Sequence, residues 1–132
     1  MLDQFFVPEL KKQYDVLRES EKSMSQDEVE AIYASIRERA ELIMELSRIA
    51  KKDGLLALEE KIEHIEGCED VKTLVQYVVD GDDPESIEQM SMLNYASKGI
   101  EGYDAILYII STYGVLAIQA DMYRQRLARL IN

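Results

Sequence analysis

Residues 25–50 read SQDEVEAIYASIRERAELIMELSRIA, and the fold class is clearest from this segment. Its apolar side chains recur at steps of three and four residues, which places on one helix face Val29, Ile32, Tyr33, Ile36, Ala40, Ile43, Leu46 and Ala50. The opposite face carries charges of both signs, at Arg37, Glu38, Glu41, Glu45 and Arg48. Ser25 and Glu28 have the spacing of a capping box, which marks a helix start. The stretch therefore predicts an amphipathic α-helix of about seven turns.

The same periodicity, interrupted by glycine and proline, continues along the chain. No run of residues alternates between apolar and polar for long enough to suggest a strand. Pro8 is typical of a first helical turn and predicts a helix from there to about Glu21. Gly54 either ends the long helix or permits close packing within it. Further helices are expected over 55–65, over 69–79, after the Asp83-Pro84 cap, and over 103–130. We predict an all-α helical bundle of about six helices, two of them long, in a single domain over residues 1–132.

The chain is strongly acidic, with a net charge of −11 at pH 7 in 132 residues. Nucleic acids and anionic membrane surfaces both attract clustered Lys and Arg, so neither is an expected partner. The single cysteine, Cys68, has no second cysteine for an intramolecular disulfide, and no signal peptide precedes Asp3. These features predict a soluble protein of the reducing cytoplasm.

The longest uncharged segment of the last predicted helix, Ala105 to Ala120, is the nearest approach to a membrane span. A transmembrane helix needs about 20 predominantly apolar residues, and this segment is shorter and includes Ser111, Thr112 and Gln119. We therefore expect a buried core helix and no membrane span.

Motifs that resemble sites of chemistry have simpler structural explanations here. His64 and Cys68 lie four residues apart, but a zinc site needs three or four ligands and Gly67 interrupts the helix between them. Asp80-Gly81-Asp82-Asp83 lacks the order of an EF-hand loop and is explained by a turn followed by a helix cap. The chain has no glycine-rich phosphate loop and no Gly-x-Ser-x-Gly elbow. We expect no catalytic residues, no metal, no cofactor and no enzymatic activity.

Tyrosines are concentrated in the last third of the chain, at Tyr95, Tyr103, Tyr108, Tyr113 and Tyr123. Tyrosine is favoured at interfaces, but it also suits a half-buried helix seam with its hydroxyl at the rim, and we prefer that interpretation. The interface interpretation leads to the alternative function: a structural helical protein that self-associates through its last helix as a homo-oligomer.

Three short blocks of the chain resemble one protein family. Residues 50–59, Ala-Lys-Lys-Asp-Gly-Leu-Leu-Ala-Leu-Glu, resemble an Ala-Arg-x-x-Gly-Leu-Leu-Ala-Leu-Glu signature of the MotA-type flagellar stator proteins, in the MotA/TolQ/ExbB proton-channel family. Residues 78–85, Val-Val-Asp-Gly-Asp-Asp-Pro-Glu, are similar to the Val-Asp-Gly-x-Asp-Pro-Glu segment of that family. Residues 114–119, Gly-Val-Leu-Ala-Ile-Gln, resemble its Gly-Ile-Leu-Ala-Ile-Gln block. The resemblance covers residues 37–90 and 113–131.

The chain departs from the family in the spacing of these blocks. In the family, two membrane helices separate the second block from the third, and two more precede the first. Here only the residues from Pro84 to Gly114 separate them. The resemblance therefore implies a cytoplasmic domain without the channel helices, and it carries over no ion conduction.

The resemblance also implies a partner. In the family, two charged residues contact the rotor protein FliG: a basic residue three positions before the first block's glycine and a Glu five positions after it. Lys51 and Glu59 hold those positions here, although lysine lacks the bidentate geometry of arginine. Their spacing of eight puts both on one face if the helix continues through Gly54. The alternative is that they are two ordinary solvated charges.

The third block has Gln119 and Ser111 at the corresponding positions, so we assign it to packing. We expect a non-enzymatic protein–protein interaction module that binds a FliG-like rotor protein or a stator component through Lys51 and Glu59.

Overall fold

The computed structural model describes the backbone of residues 2–131 and the side chains of residues 5–130. Within these residues there is no strand, and six α-helices follow one another: α1 (Leu2–Ser20), α2 (Gln26–Asp53), α3 (Leu55–Glu63), α4 (Glu69–Val79), α5 (Pro84–Lys98) and α6 (Tyr103–Ile131). A short 3₁₀ turn, Glu21–Ser23, links α1 to α2. The all-α bundle with two long helices, α2 and α6, is confirmed.

The core is built around α6. This helix contacts α1, α2, α4 and α5, whereas α3 packs against α2 and α4. The largest fully buried apolar side chains come from every helix: Phe6, Leu17, Leu46, Leu58, Val71, Val75, Ile87, Ile106, Ile109 and Val115. Burying each of them contributes about 1.5–3 kcal/mol, so α6 is stabilised chiefly by packing rather than by local propensity.

The length and composition of α6 also satisfy the requirement for a membrane span, because residues Tyr103–Leu130 contain an 18-residue window of mean hydropathy 1.4. The other helices bury 56% of that window. Such burial is characteristic of the core helix of a bundle, which passes the same test. The absence of a membrane span remains a prediction.

Two helix starts are formed by the predicted caps. The Ser25 hydroxyl accepts a hydrogen bond from the amide of Glu28 at 3.1 Å, and Asp83 accepts one from the amide of Ser86 at 2.9 Å. The backbone bond to Ser86 is the main cause that holds the pKa of Asp83 below its ordinary value. The turn-and-cap explanation of residues 80–83 therefore agrees with the structure.

The predicted start of the first helix at Pro8 was wrong, because α1 begins at Leu2 and Pro8 lies inside it. A proline in a helix interior costs about 3 kcal/mol, since it removes a backbone hydrogen bond and crowds the preceding turn. Upstream of it, Phe6 is fully buried in a cluster with Tyr95 and Ile109. Burial of that ring is worth a comparable amount, so it explains why the helix extends past the proline.

Candidate partner-binding site

The glycine of the first family-like block ends one helix and begins the next. Gly54 has φ 87° and ψ −170°, a conformation that only glycine adopts readily, and it separates α2 from α3. A Cβ at this position would meet nothing within 4 Å, so glycine is required by conformation and not by space. Of the two alternatives for Gly54, the structure shows that it ends the long helix, so the condition under which Lys51 and Glu59 would share one helix face is not met.

The chain turn leaves both charges on a surface that we call the α2–α3 corner, residues Lys51–Glu60. Lys51 is exposed in the last turn of α2, where a cation suits the negative end of the helix dipole. Glu59 is half-buried in α3. Among the described residues, neither side chain has an ion-pair or hydrogen-bond partner. Both charges are thus available to another molecule.

An apolar side chain stands between these charges in the sequence. Leu56 is 82% exposed in the first turn of α3, although a leucine at a helix surface gains nothing from water contact. Glu59 and Glu60 follow it by three and four residues, the spacings that place side chains on the same helix face. The corner therefore presents a leucine bordered by acids along α3 and preceded by lysines at the end of α2.

The inner face of α3 holds the corner in place. Leu58 and Ile62 are buried in the main core cluster, which also includes Leu46 and Val71. Lys61 adds an ion pair with Glu45 of α2 at 3.2 Å, although both groups are substantially exposed and such pairs are worth about 0–1 kcal/mol. Leu56 and its flanking charges are thus carried by a helix fixed on its opposite side.

A cleft of about 120 Å³ lies beside the corner. It is lined by Ala50, Gly54, Leu55, Met122, Gln125, Arg126 and Arg129. The first turn of α3 has no side-chain cap, so its amides leave the positive end of that helix uncompensated. The first turn of α3 and the arginines of α6 therefore bring positive groups to this cleft, while acids follow along α3.

The third family-like block has a packing role. Gly114 lies inside α6 against Ile43 of α2, and Gln119 is buried with its amide nitrogen donating to the carbonyl of Asp82 at 2.8 Å. Both residues face the bundle interior. This arrangement agrees with the assignment of the block to packing.

An ion-pair network that links three helices was missed by the sequence reasoning. Arg39 of α2 donates to Asp70 of α4 and to the Ser111 hydroxyl of α6, both at 2.9 Å. The Arg39 and Asp70 side chains are only 12% and 28% exposed. A signal was present, because residue 39 follows Ile36 by three positions and precedes Ile43 by four, which places it on the apolar face.

The other candidate motifs are not brought together into a site. His64 is exposed at the end of α3, and Cys68 is half-buried in a left-handed conformation before α4. Within residues 5–130, no group of three or more His, Cys, Asp or Glu side chains is arranged to hold a metal ion.

The tyrosines of the last third also separate into different environments. Tyr95 and Tyr108 are buried, with ring centroids 5.6 Å apart, whereas Tyr113 and Tyr123 are exposed on α6. They do not form one continuous patch, which favours the packing interpretation.

Comparisons of the chain with models of protein families, with curated proteins and with solved structures found no match.

Proposed function

We propose that the chain is a non-enzymatic protein–protein interaction module that binds its partner through the α2–α3 corner. The observation that carries the proposal is the exposure of Leu56, at 82%, between two charges that have no partner in the described chain, Lys51 and Glu59.

This combination has the physical character of a binding surface. Burial of a leucine side chain stabilises a complex by roughly 1.5–3 kcal/mol, provided that the partner offers an apolar recess. Charges at the edge of an interface contribute mainly to orientation and to the rate of association. The complementary surface would therefore hold an acidic group for Lys51, a recess for Leu56 and a basic group for Glu59.

The partner class comes from the resemblance of residues 50–59 to the stator signature. A FliG-like rotor protein or a stator component in the cytoplasm would meet the same two charge positions. Because α2 and α3 are separate helices, the contact would use a corner rather than one helix face. The lysine at position 51 would contribute a point charge to this contact.

The experiment is a calorimetric titration of a purified FliG-type rotor protein with the full chain. Lys51→Glu combined with Glu59→Lys keeps the net charge and should weaken binding at least about tenfold. Leu56→Ser should weaken binding independently of salt, because it removes apolar burial only. Circular dichroism establishes that both variants are folded.

The matched control is Lys98→Glu combined with Glu101→Lys. Lys98 is also exposed in the last turn of a helix, and Glu101 is exposed just beyond it. This pair should leave the affinity unchanged. If the Lys51/Glu59 reversal also leaves it unchanged, or if the wild-type chain does not bind the rotor protein, the proposed function is wrong.

A further inference from the structure

The end of α6 carries apolar side chains that the bundle does not cover. Tyr123, Leu127 and Leu130 are 40%, 57% and 84% exposed. Their spacing of four and then three residues is that of the a and d positions of a coiled coil. We call these three residues the α6 seam.

The face that carries the α6 seam leaves the bundle between Leu116 and Ala120. Counting back from Tyr123 in steps of three and four gives Ala120, which is exposed, and then Leu116, which is buried in the main core cluster. The bundle therefore covers this face at Leu116, and the face is exposed from Ala120 onward. Eight residues at 1.5 Å each give an uncovered length of about 12 Å, a little over two helical turns.

Arginines flank the α6 seam on both sides. Arg124 follows Tyr123, and Arg126 precedes Leu127, which are the e and g positions beside a seam of this register. The Arg126 guanidinium lies 5.9 Å from the centroid of the Tyr123 ring, so it is held alongside the seam. With Arg129, residues 123–130 carry three positive charges and no acid, in a chain whose net charge is −11.

We propose that residues 123–130 are a docking helix for an amphipathic helix of another protein, whose apolar seam is flanked by Asp or Glu. Opposite charges at the e and g positions select the partner of a coiled coil, and like charges reject it. Two copies of this chain would bring arginine beside arginine, so self-pairing along the α6 seam is disfavoured. An anionic membrane is disfavoured as well, because the body of the chain is acidic.

The apolar part of this docking helix lies outside the α2–α3 corner. Leu127 and Leu130 do not line the cleft beside the corner, whereas Arg126 and Arg129 do. A variant of the two leucines therefore tests the docking helix separately from the proposed rotor contact.

The test uses two synthetic three-heptad peptides as probes. Both have Leu at the a and d positions, and one has Glu at the e and g positions where its twin has Lys. Fluorescence anisotropy measures their binding to the full chain up to about 0.5 mM protein, because a seam this short gives weak affinity. We expect the Glu peptide to bind at least tenfold more tightly than the Lys twin.

A preference for the Glu peptide distinguishes docking at the α6 seam from unspecific charge attraction, because unspecific attraction to a chain of charge −11 would favour the Lys twin. Arg124→Glu combined with Arg126→Glu should reverse the preference of the chain. Leu127→Ser combined with Leu130→Ser should abolish binding of the Glu peptide. Both leucines are exposed, so the bundle stays folded, and titration of the rotor protein should be unaffected by this variant.

Several results would overturn the proposal. They are a Lys twin that binds as tightly as the Glu peptide, no binding of the Glu peptide, or binding that survives the loss of both leucines. Wild-type self-association, or binding to phosphatidylserine vesicles, that is lost in the Leu127→Ser/Leu130→Ser variant would also contradict it.

Discussion

Gly114 of α6 lies against Ile43 of α2 so closely that a Cβ at position 114 would stand 2.4 Å from Ile43 Cγ2. Real Cβ atoms essentially never make contacts this short. Gly54, in the sequence block that most resembles this one, meets nothing within 4 Å. The two similar blocks therefore use glycine for different physical reasons, close helix contact in one and a chain turn in the other.

Gly114→Ala should destabilise the bundle. Alanine improves helix propensity by about 1 kcal/mol, but overpacking against a buried isoleucine costs typically 1–3 kcal/mol. We expect a net loss of up to about 2 kcal/mol in the free energy of unfolding, measured by urea denaturation.

The Ile43→Ala background provides the control. Removing the isoleucine side chain removes the clash, so Gly114→Ala should become neutral or stabilising there. Equal losses in both backgrounds would show that the contact with Ile43 is not the cause.

Gly54→Ala should also destabilise the chain, for a conformational reason. A side chain in this region of φ and ψ costs of the order of 1–3 kcal/mol, with no steric contact involved. The matched control is Gly99→Asn, because Gly99 has φ 64° and ψ 25°, a left-handed conformation that asparagine tolerates. The midpoint temperature of thermal unfolding should decrease clearly for Gly54→Ala and only slightly for Gly99→Asn. Similar decreases for the two would contradict the conformational argument.

The Arg39–Asp70 ion pair should contribute more than an exposed pair. Loss of one partner leaves a charge in a mostly buried site, so Asp70→Asn should cost about 1–3 kcal/mol. The comparison is the Arg18–Asp15 pair of α1, which is exposed and worth about 0–1 kcal/mol. Double-mutant cycles with Arg39→Met and Arg18→Met should give a larger coupling energy for the buried pair. Equal coupling energies would contradict the account.

Stability should fall at alkaline pH because of Tyr95. Burial, and then the hydrogen bond that its hydroxyl donates to Glu9, raise the pKa of Tyr95 above its ordinary value near 10. The folded chain then retains a proton that the unfolded chain loses. The contribution to stability is therefore complete below pH 10 and is lost as the pH rises above it.

Urea midpoints measured from pH 8 to pH 11 test this dependence. Tyr95→Phe should lower the stability at pH 8, through the lost hydrogen bond, and should give a shallower decline above pH 10 than the wild type. Tyr123→Phe, at an exposed position, should keep the decline of the wild type. The idea fails if Tyr95→Phe declines as steeply as the wild-type chain.

The sequence predicted the fold where local chemistry determines it. Asp83 with Pro84 marked the start of α5, Ser25 marked that of α2, and apolar spacing predicted both long helices. The helix start predicted at Pro8 was wrong because the burial of Phe6 against α5 and α6 extends α1, and that contact depends on the tertiary structure. Gly54 was ambiguous because its backbone angles, which settle its role, are absent from the sequence.

The candidate site was predicted only in part. Lys51 and Glu59 came from the resemblance. Lys51 is exposed and Glu59 is half-buried, and their placement on two helices depended on Gly54. The exposure of Leu56 depends on the tertiary structure. The sequence does not distinguish the leucines at positions 55, 56 and 58, and only the packing of α3 determines which of them is buried and which is exposed. Arg39 was overlooked because charge was taken to indicate a solvent-facing position.

Binding of a protein partner to the α2–α3 corner can be located by NMR of the ¹⁵N-labelled chain titrated with a FliG-type rotor protein. We expect changes in backbone amide shifts to concentrate at residues 50–60 and to be lost in the Lys51→Glu/Glu59→Lys variant. Absence of shift changes, or changes confined to residues outside the corner and outside the cleft beside it, such as Leu127 and Leu130, would contradict this expectation.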